Sequence, residues 1–73
     1  MTFDERVGKL ERFTVYGPGY NRNVTGNLAD ARRFEGRGEP MFAEIFLRRA
    51  EAQAHFADTG EWVAPTPVAK GLS

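Results

Sequence analysis

The longest run of helix-forming residues extends from Pro40 to Ala57, and it limits what this 73-residue chain can fold into. Proline is favoured at the first position of a helix, and Gly60 stands just beyond the run, where glycine often ends a helix. The first two turns are apolar on nearly every side, with Glu44 as the only interruption. A chain of this length has little material to cover such a helix. We therefore expect its apolar surface either to face another molecule or to be covered by the preceding helices.

The residues before the long helix show first a helical pattern and then a strand-like one. Thr2 and Glu5 form a capping box, and the apolar residues that follow at helical spacing predict a helix over residues 3–11. Residues 13–16 alternate in polarity and are rich in β-branched and aromatic side chains, which predicts a strand.

A turn and a second helix are predicted next. Residues 17–20 have the sequence of a type II turn, with proline at the second position and glycine at the third. The chain could return over residues 21–25 as a second strand and complete a hairpin. Asn27 is a suitable N-cap for a helix over residues 28–34, which Gly36 would end.

These elements together predict a small, helix-dominated α+β domain with a short strand or hairpin after the first helix. Residues 61–63 could add a last short strand beside the first one. The alternative is an all-α arrangement of three helices with an irregular connector over residues 13–26. We expect a single globular domain over residues 1–63 and an extended, partly flexible C-terminal tail over residues 64–73, which contain two prolines.

The composition argues against most catalytic and cofactor chemistry. The chain has no cysteine, so it has no disulfide, no thiolate metal site and no cysteine nucleophile. Its only serine is the last residue, Ser73, which nearly excludes serine-based hydrolysis. Its only histidine, His55, has no serine or cysteine near it in the sequence to activate. We predict a protein that is not an enzyme and that binds no metal or cofactor.

The polar face of the long helix is the one place where metal ligands could gather. Glu44 and Arg48, and likewise Glu51 and His55, are spaced to form ion pairs. Glu51, His55 and Asp58 could instead ligate a divalent ion, but a specific site needs convergent ligands from more than one element. We expect a solvated face here rather than a metal site.

No segment has the pattern of a targeting signal or a membrane span. The first ten residues contain four charged side chains, whereas a signal peptide needs an apolar core. No stretch approaches the ~20 apolar residues that cross a membrane. We therefore expect a cytoplasmic protein without membrane contact.

Arginine and tyrosine are concentrated in the middle of the chain. The net charge is zero, which argues against a strongly basic nucleic-acid-binding domain. Between residues 12 and 37, however, five arginines accompany only two acidic residues, and Tyr16 and Tyr20 flank the predicted turn. Such residues could stack on single-stranded bases, and arginine is equally favoured at protein interfaces. For each arginine taken alone, a solvated helix flank is the simpler interpretation.

These observations favour a non-catalytic protein-interaction module. A domain this small rarely gains more than ~3–5 kcal/mol from its core, so a partner or self-association as a homodimer is expected. The module would be an accessory subunit, or a small inhibitor or adaptor of the phage or mobile-element type, that binds a larger protein assembly. The alternative is a nucleic-acid-binding accessory protein that uses an arginine and tyrosine surface. The predicted partner-binding residues are Tyr16, Tyr20, Arg22, Arg32, Arg33, Arg37, Met41, Phe42, Ile45 and Phe46.

Overall fold

The structure, a computed structural model, describes residues 1–16 and 22–68 and is all-α within them. The three helices are α1 (Phe3–Tyr16), α2 (Arg22–Gly36) and α3 (Pro40–Thr59). No strand occurs in either described range. The α+β prediction is therefore wrong. The alternative three-helix arrangement is observed, but the described parts of its proposed connector belong to α1 and α2.

Helix α1 continues through residues 13–16, which were predicted to form a strand. Val7 and Leu10 are buried, and the same stripe continues to Thr14, which is also buried. The Thr14 hydroxyl donates to the carbonyl of Glu11 at 2.9 Å, so its polar group is satisfied within the helix. Burial of this stripe outweighs local strand preference, because β-propensity differences span only about 1 kcal/mol.

Helix α2 begins at Arg22, six residues before the predicted position. The proposed return strand at residues 21–25 is wrong, since residues 22–25 are helical. The proposed N-cap at Asn27 is wrong too, because Asn27 lies inside the helix and its amide donates to the carbonyl four residues earlier at 2.7 Å. Val24 is completely buried and extends the apolar stripe of Leu28 by one turn. The predicted turn at residues 17–20 lies outside the described residues.

The predicted helix ends at the two termini of the fold are confirmed. Glu5 N–H donates to the Thr2 hydroxyl at 3.1 Å, and Thr2 N–H donates to the Glu5 carboxylate at 3.2 Å. Pro40 begins α3, and Gly60 ends it in the left-handed conformation with φ 76°. The Gly60 N–H donates to the carbonyl of Phe56 at 2.8 Å, which satisfies one of the last helical carbonyls.

The core is small and contains several alanines, which allow α2 and α3 to approach closely. These two helices share the most extensive contact in the fold, and α1 packs across both. Residues 37–39 join them in a tight turn in which Gly38 adopts φ 74°. The hairpin thus places the end of α2 beside the start of α3. The core residues are Val7, Leu10, Val24, Leu28, Ala31, Leu47, Ala50 and Ala54.

Residues 61–68 follow α3 without regular secondary structure, so the short strand predicted at residues 61–63 is absent from the described chain. The Arg48 guanidinium holds this segment by donating to the carbonyls of Thr66 at 3.0 Å and Pro67 at 3.2 Å. The proposed division into a domain and a flexible tail stays a prediction. None of the three helices is long and apolar enough to cross a membrane.

Candidate functional site

Three phenyl rings meet where the hairpin joins α2 to α3. Phe34 lies in the last turn of α2, while Phe42 and Phe46 are one turn apart near the start of α3. The Phe34 ring stacks on Phe46 at 5.3 Å between centroids, with an interplanar angle of 11°. It also contacts the tilted ring of Phe42 at 5.4 Å. These separations lie in the range in which aromatic pairs attract one another.

Three guanidinium groups lie over these rings. The Cζ atoms of Arg33 and Arg37 are 5.6 Å and 5.9 Å from the centroid of Phe34. The Cζ atom of Arg49 is 5.0 Å from the centroid of Phe46. All three distances are short enough for cation–π attraction. We call this group the aromatic–arginine cluster; its members are Arg33, Phe34, Arg37, Phe42, Phe46 and Arg49.

The cluster continues into an exposed apolar surface. Met41 and Phe42 directly follow Pro40, the first residue of α3. Their exposed fractions are 47% and 43%, which is high for large apolar side chains. An open groove of about 480 Å³ lies beside them, with Pro40 and Val68 completing its apolar lining. The half-buried rings of Phe34 and Phe46 support this surface from below. The structure therefore presents large apolar side chains on a base of packed aromatic rings.

The fold brings together four of the ten residues that the sequence predicts to bind a partner. Met41 lies beside these four in the apolar groove. Ile45 is half-buried and lines a separate depression, which it shares with Arg49 of the cluster and with residues 65–68. The four predicted residues inside the cluster are Arg33, Arg37, Phe42 and Phe46.

The remaining predicted residues do not join the cluster in the described structure. Arg32 forms an ion pair with Glu11 on α1. Arg22 is exposed in the first turn of α2, at the opposite end of that helix from the cluster. Tyr20 and the side chain of Tyr16 lie outside what the structure describes.

Two residues of the cluster, Phe34 and Arg49, were missed in the sequence. Phe34 was assigned only to the end of a helix, and Arg49 was not considered. A signal for both was present, because arginine precedes Phe34 directly and Arg49 follows Phe46 at the i, i+3 spacing. The contact between Phe34 and α3, in contrast, depends on how the hairpin closes.

The strongest electrostatic feature is a cluster of ion pairs between α1 and α3. Arg6 donates two hydrogen bonds to Glu44, at 2.6 and 2.8 Å, and two to Glu51, at 2.6 and 3.0 Å. These bonds raise the pKa of Arg6 above its ordinary value, and the bonds to Glu51 contribute most to this shift. The bonds from Arg6, helped by a bond from Arg48, lower the pKa of Glu44 although its partial burial opposes this shift. This network attaches α1 to α3 and is structural.

The polar face of α3 is only partly as predicted. The ion pair between Glu44 and Arg48 is confirmed at 2.9 Å. The predicted pair of Glu51 with His55 is wrong, because Glu51 binds Arg6 while the His55 imidazole lies 3.5 Å from the Glu61 carboxylate. Over the described ranges, no group of three metal-ligating side chains is close enough to hold an ion.

A second exposed apolar patch lies at the other end of α3. Phe56 is 44% exposed and contacts Trp62 edge to face, with 6.1 Å between the ring centroids. Val63 is 53% exposed beside them. No guanidinium lies over these rings among the residues described. The two patches therefore differ in charge although Phe42 and Phe56 are almost equally exposed.

The aromatic–arginine cluster carries chemical groups that are suited to contacting a ligand. Phenyl rings carry no group that exchanges protons, and guanidinium groups stay protonated in proteins. Together they offer apolar area, aromatic faces and hydrogen-bond donors to a ligand. Comparison with known proteins adds no relative: no protein-family model, no curated protein and no solved structure matches the chain.

Proposed function

We propose that the chain is a non-catalytic protein-interaction module that binds a larger protein through the aromatic–arginine cluster. It would serve as an accessory subunit, or as a small inhibitor or adaptor of the phage or mobile-element type. The observation that carries the proposal is the exposure of Phe42 and Met41, at 43% and 47%, directly beside stacked rings and guanidinium groups.

The energetics of this surface favour a protein partner. Aromatic and arginine side chains are enriched at the centres of interfaces, where they supply most of the binding energy. The exposed 43% of Phe42 corresponds to ~85 Å² and would contribute about 2 kcal/mol on burial. The Phe42 ring contacts Phe34, which itself stacks on Phe46. This contact restricts the Phe42 side chain before a partner binds, which lowers the entropy cost of binding.

The nucleic-acid alternative has less support. It relied on Tyr16, Tyr20, Arg22, Arg32 and Arg33. Arg32 and Arg33 already form ion pairs with carboxylates, and Arg22 lies far along α2 from the others. The remaining two lack a described side chain. We also propose a cytoplasmic location.

The test compares two phenylalanines of equal exposure on the same helix. The full chain, Phe42→Ala and Phe56→Ala would each be tagged and used to capture proteins from a nuclease-treated native lysate, with the eluates quantified by mass spectrometry. We expect a stoichiometric partner with the wild-type chain and with Phe56→Ala, and at least a tenfold loss with Phe42→Ala. Circular dichroism would first show that both variants are folded.

Two outcomes would contradict the proposal. Equal capture by Phe42→Ala and wild type would show that the cluster does not bind the partner. A partner that disappears on nuclease treatment, while nucleic acid is present in the untreated eluate, would favour the nucleic-acid alternative.

A further inference from the structure

We propose that the aromatic–arginine cluster binds an acidic segment of its partner, in which carboxylates pair with Arg37 and Arg49 while an apolar side chain lies on Phe42 and Met41. This inference rests on the proposed function and specifies the chemistry of the partner. The inference follows from a comparison between the arginines that form ion pairs with carboxylates and the arginines of the cluster that do not.

Arg37 and Arg49 differ from most of the other arginines. Arg6, Arg32, Arg33 and Arg48 all form ion pairs with glutamate or aspartate. Arg37 and Arg49 have no carboxylate partner within residues 1–16 and 22–68, and both lie over phenyl rings instead. The cluster therefore carries two cations whose charge the described chain leaves uncompensated.

The phenyl rings prepare these two cations for a carboxylate. A guanidinium that is held near a ring loses part of its rotational freedom before any ligand arrives, so a later hydrogen bond costs less entropy. The apolar ring also lowers the local dielectric, which strengthens a charge pair at its edge. A planar guanidinium offers paired N–H donors that match a carboxylate. Aspartate and glutamate are therefore the side chains that suit these positions.

An apolar group must accompany the carboxylates. Phe34, whose ring lies under Arg37, contacts Phe42, and Phe42 and Met41 line the groove of about 480 Å³. The charged residues that line this groove are Glu39 and the ion-paired Glu44 and Arg48. This groove is lined mainly by carbon atoms and has room for an aliphatic or aromatic side chain. A segment that carried acidic residues alone would leave this area exposed to water and would gain only the weak energy of surface ion pairs.

The acidic groups near the cluster favour a peptide over a nucleic acid. Glu35 is exposed in the last turn of α2, and Glu39 forms one wall of the groove. A phosphate backbone carries a charge on every nucleotide and would bring some of these charges close to Glu35 and Glu39. A peptide can place its carboxylates at Arg37 and Arg49 and an uncharged side chain near Glu39.

The test selects peptides without assuming their sequence. Random twelve-residue peptides displayed on phage would be enriched on the folded full chain, and the enriched peptides would be synthesised with a fluorescent label. Fluorescence anisotropy would then measure their binding to wild type, Phe42→Ala, Arg37→Gln and Arg49→Gln. Arg12→Gln is the matched control, because Arg12 is exposed on α1 and has no ion pair in the described part of the chain. A single-stranded oligonucleotide of twenty bases is measured in parallel.

We expect the enriched peptides to contain at least two acidic residues close to a leucine or an aromatic residue. Arg37→Gln and Arg49→Gln should each weaken their binding by about threefold to tenfold, whereas Arg12→Gln should change it by less than twofold. Binding should also weaken as salt is raised.

The other outcomes separate the two proposals. Peptides that require Phe42 but lack acidic residues, or that tolerate both arginine variants, would overturn this inference and leave the proposed function intact. If no enriched peptide depends on Phe42, both proposals fail. If the oligonucleotide binds more tightly than every peptide and depends on Arg37 and Arg49, the occupant is a polyanion and the acidic peptide is rejected.

Discussion

Arg6 on α1 binds both Glu44 and Glu51 on α3, and replacing it with methionine removes this connection between the two helices. Four charge-assisted hydrogen bonds are lost. Each such bond contributes ~1.5–3 kcal/mol when well buried, but exposed ion pairs contribute only ~0–1 kcal/mol. The Arg6 side chain is 21% exposed, and its two partners are 26% and 40% exposed. We therefore expect Arg6→Met to lower the free energy of unfolding by about 2–3 kcal/mol, because Glu51 also loses its compensating charge and Glu44 keeps only Arg48.

Urea unfolding followed by circular dichroism measures this loss. With an m-value of ~1 kcal/mol per molar urea for a domain of this size, the midpoint should fall by about 2–3 M. Arg12→Met is the matched control, since Arg12 lies on the same helix, is exposed and has no ion pair among the described residues. Its effect should stay within ~0.5 kcal/mol. If Arg6→Met and Arg12→Met unfold at the same urea concentration, the network does not stabilise the fold and the reasoning is refuted.

Two further perturbations test the electrostatics and the end of α3. The pKa of Glu44 is lower in the folded chain than its ordinary 4.5, so its carboxylate stabilises the fold above that pH and loses this contribution as the pH falls through the folded pKa. The free energy of unfolding should thus decline below pH 4.5, and the decline should be shallower in Glu44→Gln but not in Glu35→Gln, whose side chain is exposed. Gly60→Ala should lower the free energy of unfolding by about 1 kcal/mol, because Gly60 has φ 76°, which disfavours a residue with a Cβ atom. Gly26→Ala is the control. It should be neutral or stabilising, because Gly26 lies within α2, has no positive φ and has space for a Cβ atom. Equal thermal midpoints for the two glycine variants would contradict the proposed role of the left-handed cap.

The parts of the fold that local chemistry specifies were predictable from the sequence. The capping box at Thr2, the proline at the start of α3 and the glycine at its end each act within a few residues, and all three are observed. The strand predicted over residues 13–16 was wrong because packing between helices, and not local chemistry, determines the structure there. Its side chains prefer a strand locally, but the burial of Thr14 depends on α1 packing against the other helices.

The candidate site was predictable only in part. The apolar start of α3 predicted that Phe42 and Phe46 bind a partner, and the concentration of arginine in the middle of the chain predicted the same for Arg33 and Arg37. The ring of Phe34 joins them only because the hairpin closes at that position. Arg6 was beyond sequence reasoning, because its partners Glu44 and Glu51 are 38 and 45 residues away. From the sequence we therefore predicted an ion pair between Glu51 and His55, which are only four residues apart.

The central claim is that Phe42 lies at an interface with another protein, and site-specific photo-crosslinking tests it most directly. A photoreactive phenylalanine analogue would be introduced at position 42 in one variant of the full chain and at position 56 in another, and both would be irradiated in native lysate. Position 42 should give a discrete crosslinked protein that position 56 does not give, although the two side chains are almost equally exposed. A discrete product from position 56 alone, or none from position 42, would contradict the account.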